Sequence, residues 1–158
     1  MNITVAEPGT DRAPRATGSA GPDVHVLAVG SIVPRKAYDV LVDALAGLGD
    51  LDWRLTIAGA LRDPAATAKL DDRIRAHGLA PRIRIAGAMS DADLGALYAS
   101  ADLFVLSSLY EGYGMVLAEA MARGLAIVTS TGGAAAETVP DAAALKVSPG
   151  DVGALAAA

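Results

Sequence analysis

The chain contains no cysteine. That excludes disulfides, thiol nucleophiles and thiolate metal ligands together but does not by itself fix a compartment, for which the cytoplasm is the default expectation. Aromatic residues are scarce, 4% of 158, so aliphatic side chains and alanine must fill any core. Cations are also few: 13 Lys and Arg against 18 Asp and Glu give a formal net charge of −5 with no basic cluster. Nucleic acid is therefore not an expected partner, because nothing would neutralise a phosphate backbone. No run approaches the ~20 apolar residues that span a bilayer, and the N-terminus has no basic region leading into an apolar stretch, so neither a membrane span nor secretion is expected. The two histidines, His25 and His77, lack a zinc-like spacing to a carboxylate and read as structural or solvated.

What is present is a chain 53% hydrophobic, long enough for one α/β domain of ~100–150 residues. Residues 2–6 (NITVA) read as a short strand, and the proline- and glycine-rich stretch up to residue 23 as a linker, together suggesting a preceding domain. From Val24 onward, short apolar runs alternate with amphipathic segments of helical length, the pattern of βα units and a parallel sheet. Strands are expected near 24–29, 53–58, 82–86, 103–106 and 126–129. The first helix places Val40, Leu41, Ala44, Leu45 and Leu48 on one face, with Asp39 and Asp43 elsewhere. Asp63-Pro64 and Ser90 open two further helices, and Gly78 closes the first of these. Asp151 caps a last helix that runs out at Ala158, which reads as truncation.

In an open parallel sheet the ligand-facing loops lie beyond the carboxyl ends of the strands, here at 30–36, 59–63, 87–90, 107–113 and 130–133. Glu111-Gly-Tyr-Gly-Met-Val-Leu-Ala-Glu119 is the strongest signal among them. A helix starting near Gly114 would aim free N–H groups and its positive dipole end at the ligand edge, a site for phosphate or sugar hydroxyls. Glu111 would precede that start, and Glu119 would lie roughly 7–8 Å along the axis at 1.5 Å per residue. Each carboxylate offers two acceptor oxygens that suit a vicinal diol. The alternative is a solvated Glu111 and a surface Glu119. Arg35 and Lys36 stand directly before a helix, on the side the macrodipole disfavours for cations, which points to a shared anionic ligand, with Lys36 as the diphosphate contact. The alternative there is extension into water. Thr131-Gly132-Gly133 followed by Glu137, and the glycines Gly59 and Gly87, are equally explained by ordinary turns.

Taken in order, VGSIVPRKAYDVLVDAL, LTIAG, RIRIAGAMSDADLGALYASADLFVLSS, YEGYGMVLAEAMARGLAIVTSTGGAAAETV and SPGDVGALAA resemble the C-terminal domain of family-four retaining glycosyltransferases. The resemblance spans residues 24–158, and the two glutamates of EGYGMVLAE are its most specific part. It implies a doubly wound, Rossmann-like α/β sheet forming one half of a GT-B fold, and transfer of a sugar from a nucleotide diphosphate donor with retention of configuration and without a metal or other cofactor. Glu111 and Lys36 would be the catalytic residues, Glu111 contacting the donor sugar and Lys36 neutralising the departing diphosphate. Glu119 would hold the ribose diol. Backbone amides of Gly112, Tyr113, Gly114 and Met115 would hold sugar and distal phosphate, and Gly87, Ala88 and Met89 would lie along the base. Two positions depart from the family: Ser31 stands where a basic residue is common, and Ala37 where glycine follows the lysine. Arg35 is the neighbouring cation able to compensate, and belongs with the donor contacts.

By the same resemblance the acceptor-binding N-terminal domain is absent, so the partners implied are a nucleotide-sugar donor, an unspecified acceptor and a separately encoded N-terminal half, and little transferase activity is expected of this chain alone. The rivals are a non-catalytic nucleotide-binding remnant, a nucleotide-sugar epimerase of the same architecture, and a regulatory domain with a fortuitous glutamate pair.

Overall fold

The computed structural model describes residues 8–158, and the strand expected at 2–6 lies outside them. Six parallel strands form one sheet: β1 (Val24–Val29), β2 (Trp53–Ala58), β3 (Ile83–Gly87), β4 (Leu103–Leu106), β5 (Ala126–Ser130) and β6 (Leu145–Val147). Their order across the sheet is β3-β2-β1-β4-β5-β6. The chain therefore winds outward in one direction from β1 and, after β3, in the other from β4, which is the doubly wound arrangement expected. Its direction reverses between β1 and β4, and the crevice beyond their carboxyl ends is where such sheets bind ligands.

The five expected strands are present, three with the expected boundaries and β3 and β5 moved by one residue; Gly87 ends β3 instead of following it. β6 was not expected. It has three residues centred on Lys146 and lacks the apolar run that marks a buried strand. As an edge strand it needs none, and Lys146 Nζ reaches over to donate to the Ala136 carbonyl at 2.7 Å.

Along each central strand successive side chains face opposite ways, so one set of apolar residues supplies two cores. Val26, Ala28, Leu55 and Ile57 pack with Leu41, Val42, Leu70, Ile74 and Leu155, on the side of α1 (Tyr38–Ala46), α2 (Pro64–Ala76) and α6 (Val152–Ala157). Leu27, Val29, Phe104 and Leu106 pack with Tyr98, Leu117 and Ala120, on the side of α3 (Asp91–Ser100), α4 (Met115–Ala122) and α5 (Ala135–Thr138). Helix α1 ends at Ala46, and Leu48 lies just past it yet still packs on the core. Asp39 and Asp43 tie α1 to α2, through Lys69 in the first case and through Arg73 and His77 in the second.

The expected caps are in place. Asp63 accepts from the Ala66 N–H, Ser90 from Asp93 and Asp151 from Ala154. His25 is buried, its ring bonded to the Ser100 carbonyl and the Thr56 hydroxyl, a structural role as expected. Residues 8–20, within the stretch read as a linker, form no helix or strand but are pinned to the domain. The Ala16 and Thr17 amides donate to the carbonyls of Arg123 and Ala99, and Asp102 accepts from the amides of both Ser19 and His25.

Candidate functional site

Beyond β1 the chain makes a short 3-10 turn, Pro34–Lys36, before α1 begins. Between the two sits Ala37 at φ 48°, the single non-glycine residue in the left-handed region among the described residues. This is the position where the resemblance leads one to expect glycine, and the backbone keeps the glycine-type conformation with an alanine in it. The turn folds Lys36 back into the crevice, where it is 5% exposed. Beyond β4, the loop from Ser107 to Gly114 runs against the loop after β5. Gly132 permits that approach: a Cβ there would lie 2.2 Å from the Leu109 carbonyl oxygen. The Glu111 amide donates to the Gly132 carbonyl at 3.0 Å, and the Ala134 amide to the Glu111 carbonyl at 2.9 Å. The glycine pair after β5 thus acts as a seat for Glu111.

These two loops bring Lys36 and Glu111 together at the switch point. Lys36 Nζ donates to Glu111 Oε1 at 2.6 Å, with both side chains buried. Ser108, fully buried, donates to the same oxygen at 2.5 Å. Arg35, half exposed, places a guanidinium nitrogen 3.3 Å from Oε2 and donates to the Tyr110 carbonyl. Burial opposes the charge on Glu111, but the hydrogen bonds from Lys36 and Ser108 and the two cations outweigh it and hold the carboxyl below its ordinary range. Tyr38 shares the pocket: its hydroxyl donates to the Gly30 carbonyl, and burial together with the nearby Glu111 charge pushes its ionisation far up.

Glu119 belongs to a second cluster. It lies on α4, and Gly114, at the N-cap position just before that helix, stands at φ 89° and offers no side-chain cap. The first amides of α4 are therefore available to an anion. Tyr98 donates its hydroxyl to Glu119 Oε2 at 2.9 Å, and Arg123 lies over the Tyr98 ring at 4.4 Å while donating to the Glu119 carbonyl. The two glutamates thus stand in separate hydrogen-bonded groups at the start of one helix and farther along it.

Gly112 has open space around its Cα, and Met115 and Tyr110 are exposed. Tyr113 reaches across to the Pro8 carbonyl at 3.4 Å, and its own carbonyl accepts from Thr138. Ala88 and Met89 line a separate cleft of about 280 Å³ with Gly30, Ser31, Gly59 and Leu94. A larger cavity, about 410 Å³, opens instead on the α1–α2 side, among Ile32, Pro34, Leu70 and Leu109. Its lining is mostly apolar and lacks the charged cluster. Ser107, Ser108 and Ser130 leave one trace in the sequence, small hydroxyl residues at the ends of otherwise apolar strands, and Tyr98, inside α3, leaves none.

Among the described residues no group of three or more His, Asp and Glu side chains is placed to hold a metal ion, and no helix is long and apolar enough to cross a membrane.

Residues 10–158 match the family model described as glycosyl transferases group 1. The chain is 38% identical over 116 residues to the mannosylfructose-phosphate synthase of Agrobacterium fabrum, covering 68% of this chain and 26% of that protein. It is 33% identical over 147 residues to the D-inositol 3-phosphate glycosyltransferase of Mycobacterium tuberculosis, covering 89% of this chain and 30% of that protein. Among solved structures, Anabaena HepE in complex with UDP and glucose superposes with a TM-score of 0.79 at 27% identity, over 86% of this chain and 37% of that one. The chain spans less than a third of the length of these two sequence relatives.

Proposed function

The chain belongs to the glycosyl transferases group 1, and on that premise we propose that it is the donor-binding half of a retaining glycosyltransferase, taking a sugar from a nucleotide diphosphate carrier. The observation that carries this reading is the meeting of Lys36, Arg35 and Glu111 at the switch point, beside the uncapped start of α4. Two cations and a helix N-terminus are what a diphosphate needs, and the carboxylate among them suits a sugar hydroxyl. The structure of HepE with UDP and glucose supports the ligand class.

In this reading the base lies along Gly87 and in the cleft at Ala88 and Met89, and Glu119 accepts from the ribose diol, exchanging its bond from Tyr98. The amides of Gly112 to Met115 face sugar and distal phosphate. Lys36 has three N–H donors and gives one to Glu111, so it can meet a phosphate without leaving its partner. As the bond from the anomeric carbon to the diphosphate oxygen breaks, the oxygen keeps the electron pair, and Lys36, Arg35 and the α4 dipole face the charge that develops. The chemistry needs no metal or other cofactor. The acceptor site and the rest of the transferase belong to a further domain, and the whole works in the cytoplasm.

The test is a calorimetric titration of the chain with UDP and with GDP, repeated on Glu119→Ala and Lys36→Ala. Binding of either nucleotide, weakened about tenfold or more in each variant, the scale of one hydrogen bond to a charged group, is the expected result. A folded chain that binds neither leaves the donor reading without support and favours a non-catalytic remnant.

A further inference from the structure

β4 ends at Leu106, and the next two residues are both serines, 3% and 0% exposed. A buried hydroxyl is costly unless it is bonded, and alanine would fill such a position without that requirement. Both hydroxyls are bonded, each to a different loop residue. Ser107 offers its single proton to the carbonyls of Lys36 and Ala37, at 3.0 and 3.1 Å. Ser108 donates to Glu111 Oε1. One serine thus grips the turn that carries the lysine, and its neighbour grips the carboxylate the lysine meets. The backbone reinforces both grips. The Leu109 amide donates to the Arg35 carbonyl at 2.7 Å, and Ser130 donates to the Ser108 carbonyl. Removing Ser107 would take a donor from the Lys36 carbonyl, and removing Ser108 would leave Glu111 Oε1 with Lys36 as its remaining donor.

We propose that Ser107 and Ser108 are the positioning residues of the donor site, Ser107 setting the left-handed turn that aims Lys36 and Ser108 setting the Glu111 carboxylate. The proposal rests on reading the Lys36–Glu111 pair as that site. Its rationale is preorganisation: charges placed where a leaving group develops charge help most when they need not rearrange. Lys36 and Glu111 are joined by a 2.6 Å contact between residues 75 apart in sequence. Ser107, Ser108 and Leu109 form a short bridge linking the loops that carry them.

Glu111 is one of four glutamates in the chain, with Glu7, Glu119 and Glu137, so a glutamate-labelled sample read by carboxyl carbon resonance follows it directly, assigned through Glu111→Gln. The groups facing it are Lys36 and Arg35 from the 3-10 turn, Tyr38 from α1 and Ser108 from its own loop, while the loop after β5 contributes only backbone. In Ser108→Ala the Glu111 midpoint moves up, because a bond favouring the anion is gone; Ser108→Cys, of similar shape and a weaker donor, falls between. In Ser107→Ala that midpoint stays, and exchange of the Leu109 amide speeds by about tenfold or more, as loss of one hydrogen bond's net stabilisation would give. UDP or GDP affinity, measured in parallel, falls in both. A chain that binds neither nucleotide before mutation defeats the donor reading alone, since the carboxyl and amide signals are read without ligand. An unchanged Glu111 midpoint in folded Ser108→Ala, or unchanged Leu109 exchange in Ser107→Ala, overturns the serine assignment.

Discussion

At the scale of the residue, Glu111 is a carboxylate 6% exposed and surrounded by donors. Its folded form releases its proton more readily than the unfolded chain does, so across acidic pH the unfolded state binds more protons and stability rises with pH. That contribution is fully present above the ordinary glutamate range, about 4.3, and is lost as pH falls through the lower folded value. Melting temperature followed from pH 7 downward should therefore fall less steeply in Glu111→Gln than in the parent; equal slopes would mean that Glu111 is not held as described. The pair itself obeys a second rule. Removing one partner of a buried ion pair is worse than removing both, since the survivor keeps its charge with less to compensate it, here Arg35 and Ser108 alone. Lys36→Met should cost about 3 kcal/mol in urea unfolding, and adding Glu111→Gln to it should restore part of the loss. A double variant less stable than Lys36→Met would contradict this.

At the scale of the element, loops and caps do the positioning. Asp63 caps α2, and its side chain bonds to the Ala66 amide and to neither Lys36 nor Glu111, so Asp63→Ala should cost about 1 kcal/mol and leave nucleotide affinity unchanged. Gly59 follows β2 where the β1 loop crosses, and a Cβ there would meet the Gly30 carbonyl oxygen at 2.0 Å. Backbone cannot yield as a side-chain tip can, so Gly59→Ala should cost about 3 kcal/mol, at the upper end of overpacking effects, measurable as a lower urea midpoint. A midpoint matching the parent's would show that the loops are not packed as described. Local signals of this kind were legible in the sequence. Asp63-Pro64, Ser90 and Asp151 each announce a helix through residues within one turn of it. The five longer strands were legible because buried parallel strands are continuous apolar runs. β6 was not, since three residues at an edge need no such run.

The Glu111 cluster was legible only in part, for a related reason. EGYGMVLAE marks the helix start and both glutamates, and the cations before α1 stand out against the macrodipole rule. That Lys36 and Glu111 join, with Ser108 on the same oxygen, follows from β1 and β4 being neighbours in the sheet, and strand order is not written in any local pattern. Tyr98 is invisible in the same way, since only the fold brings its hydroxyl, on α3, to Glu119 on α4. The glycine pair after β5 was ambiguous in the sequence, and the fold resolves it as backbone support for Glu111.

At the scale of the whole molecule, a net charge of −5 coexists with cations gathered where an anionic ligand is proposed to bind. The acidic remainder should weaken nucleotide binding at low ionic strength less than those local cations strengthen it, so added salt should reduce affinity, and reduce it less in Lys36→Ala. Isothermal titrations at two salt concentrations check this, and affinity that rises with salt would contradict it. The chain covers less than a third of its two sequence relatives, and the task proposed for it is to hold the donor. The most direct measurement of that task is an amide-resonance map of the isotope-labelled chain titrated with UDP and GDP. Shifts centred on Gly87 to Met89, Gly112 to Met115 and Glu119, with Lys36 and Arg35 at their border, are the predicted result. Shifts confined to the larger α1–α2 cavity around Ile32, Leu70 and Leu109, or no shifts from a folded chain, would contradict the assignment of the donor to the β1–β4 crevice.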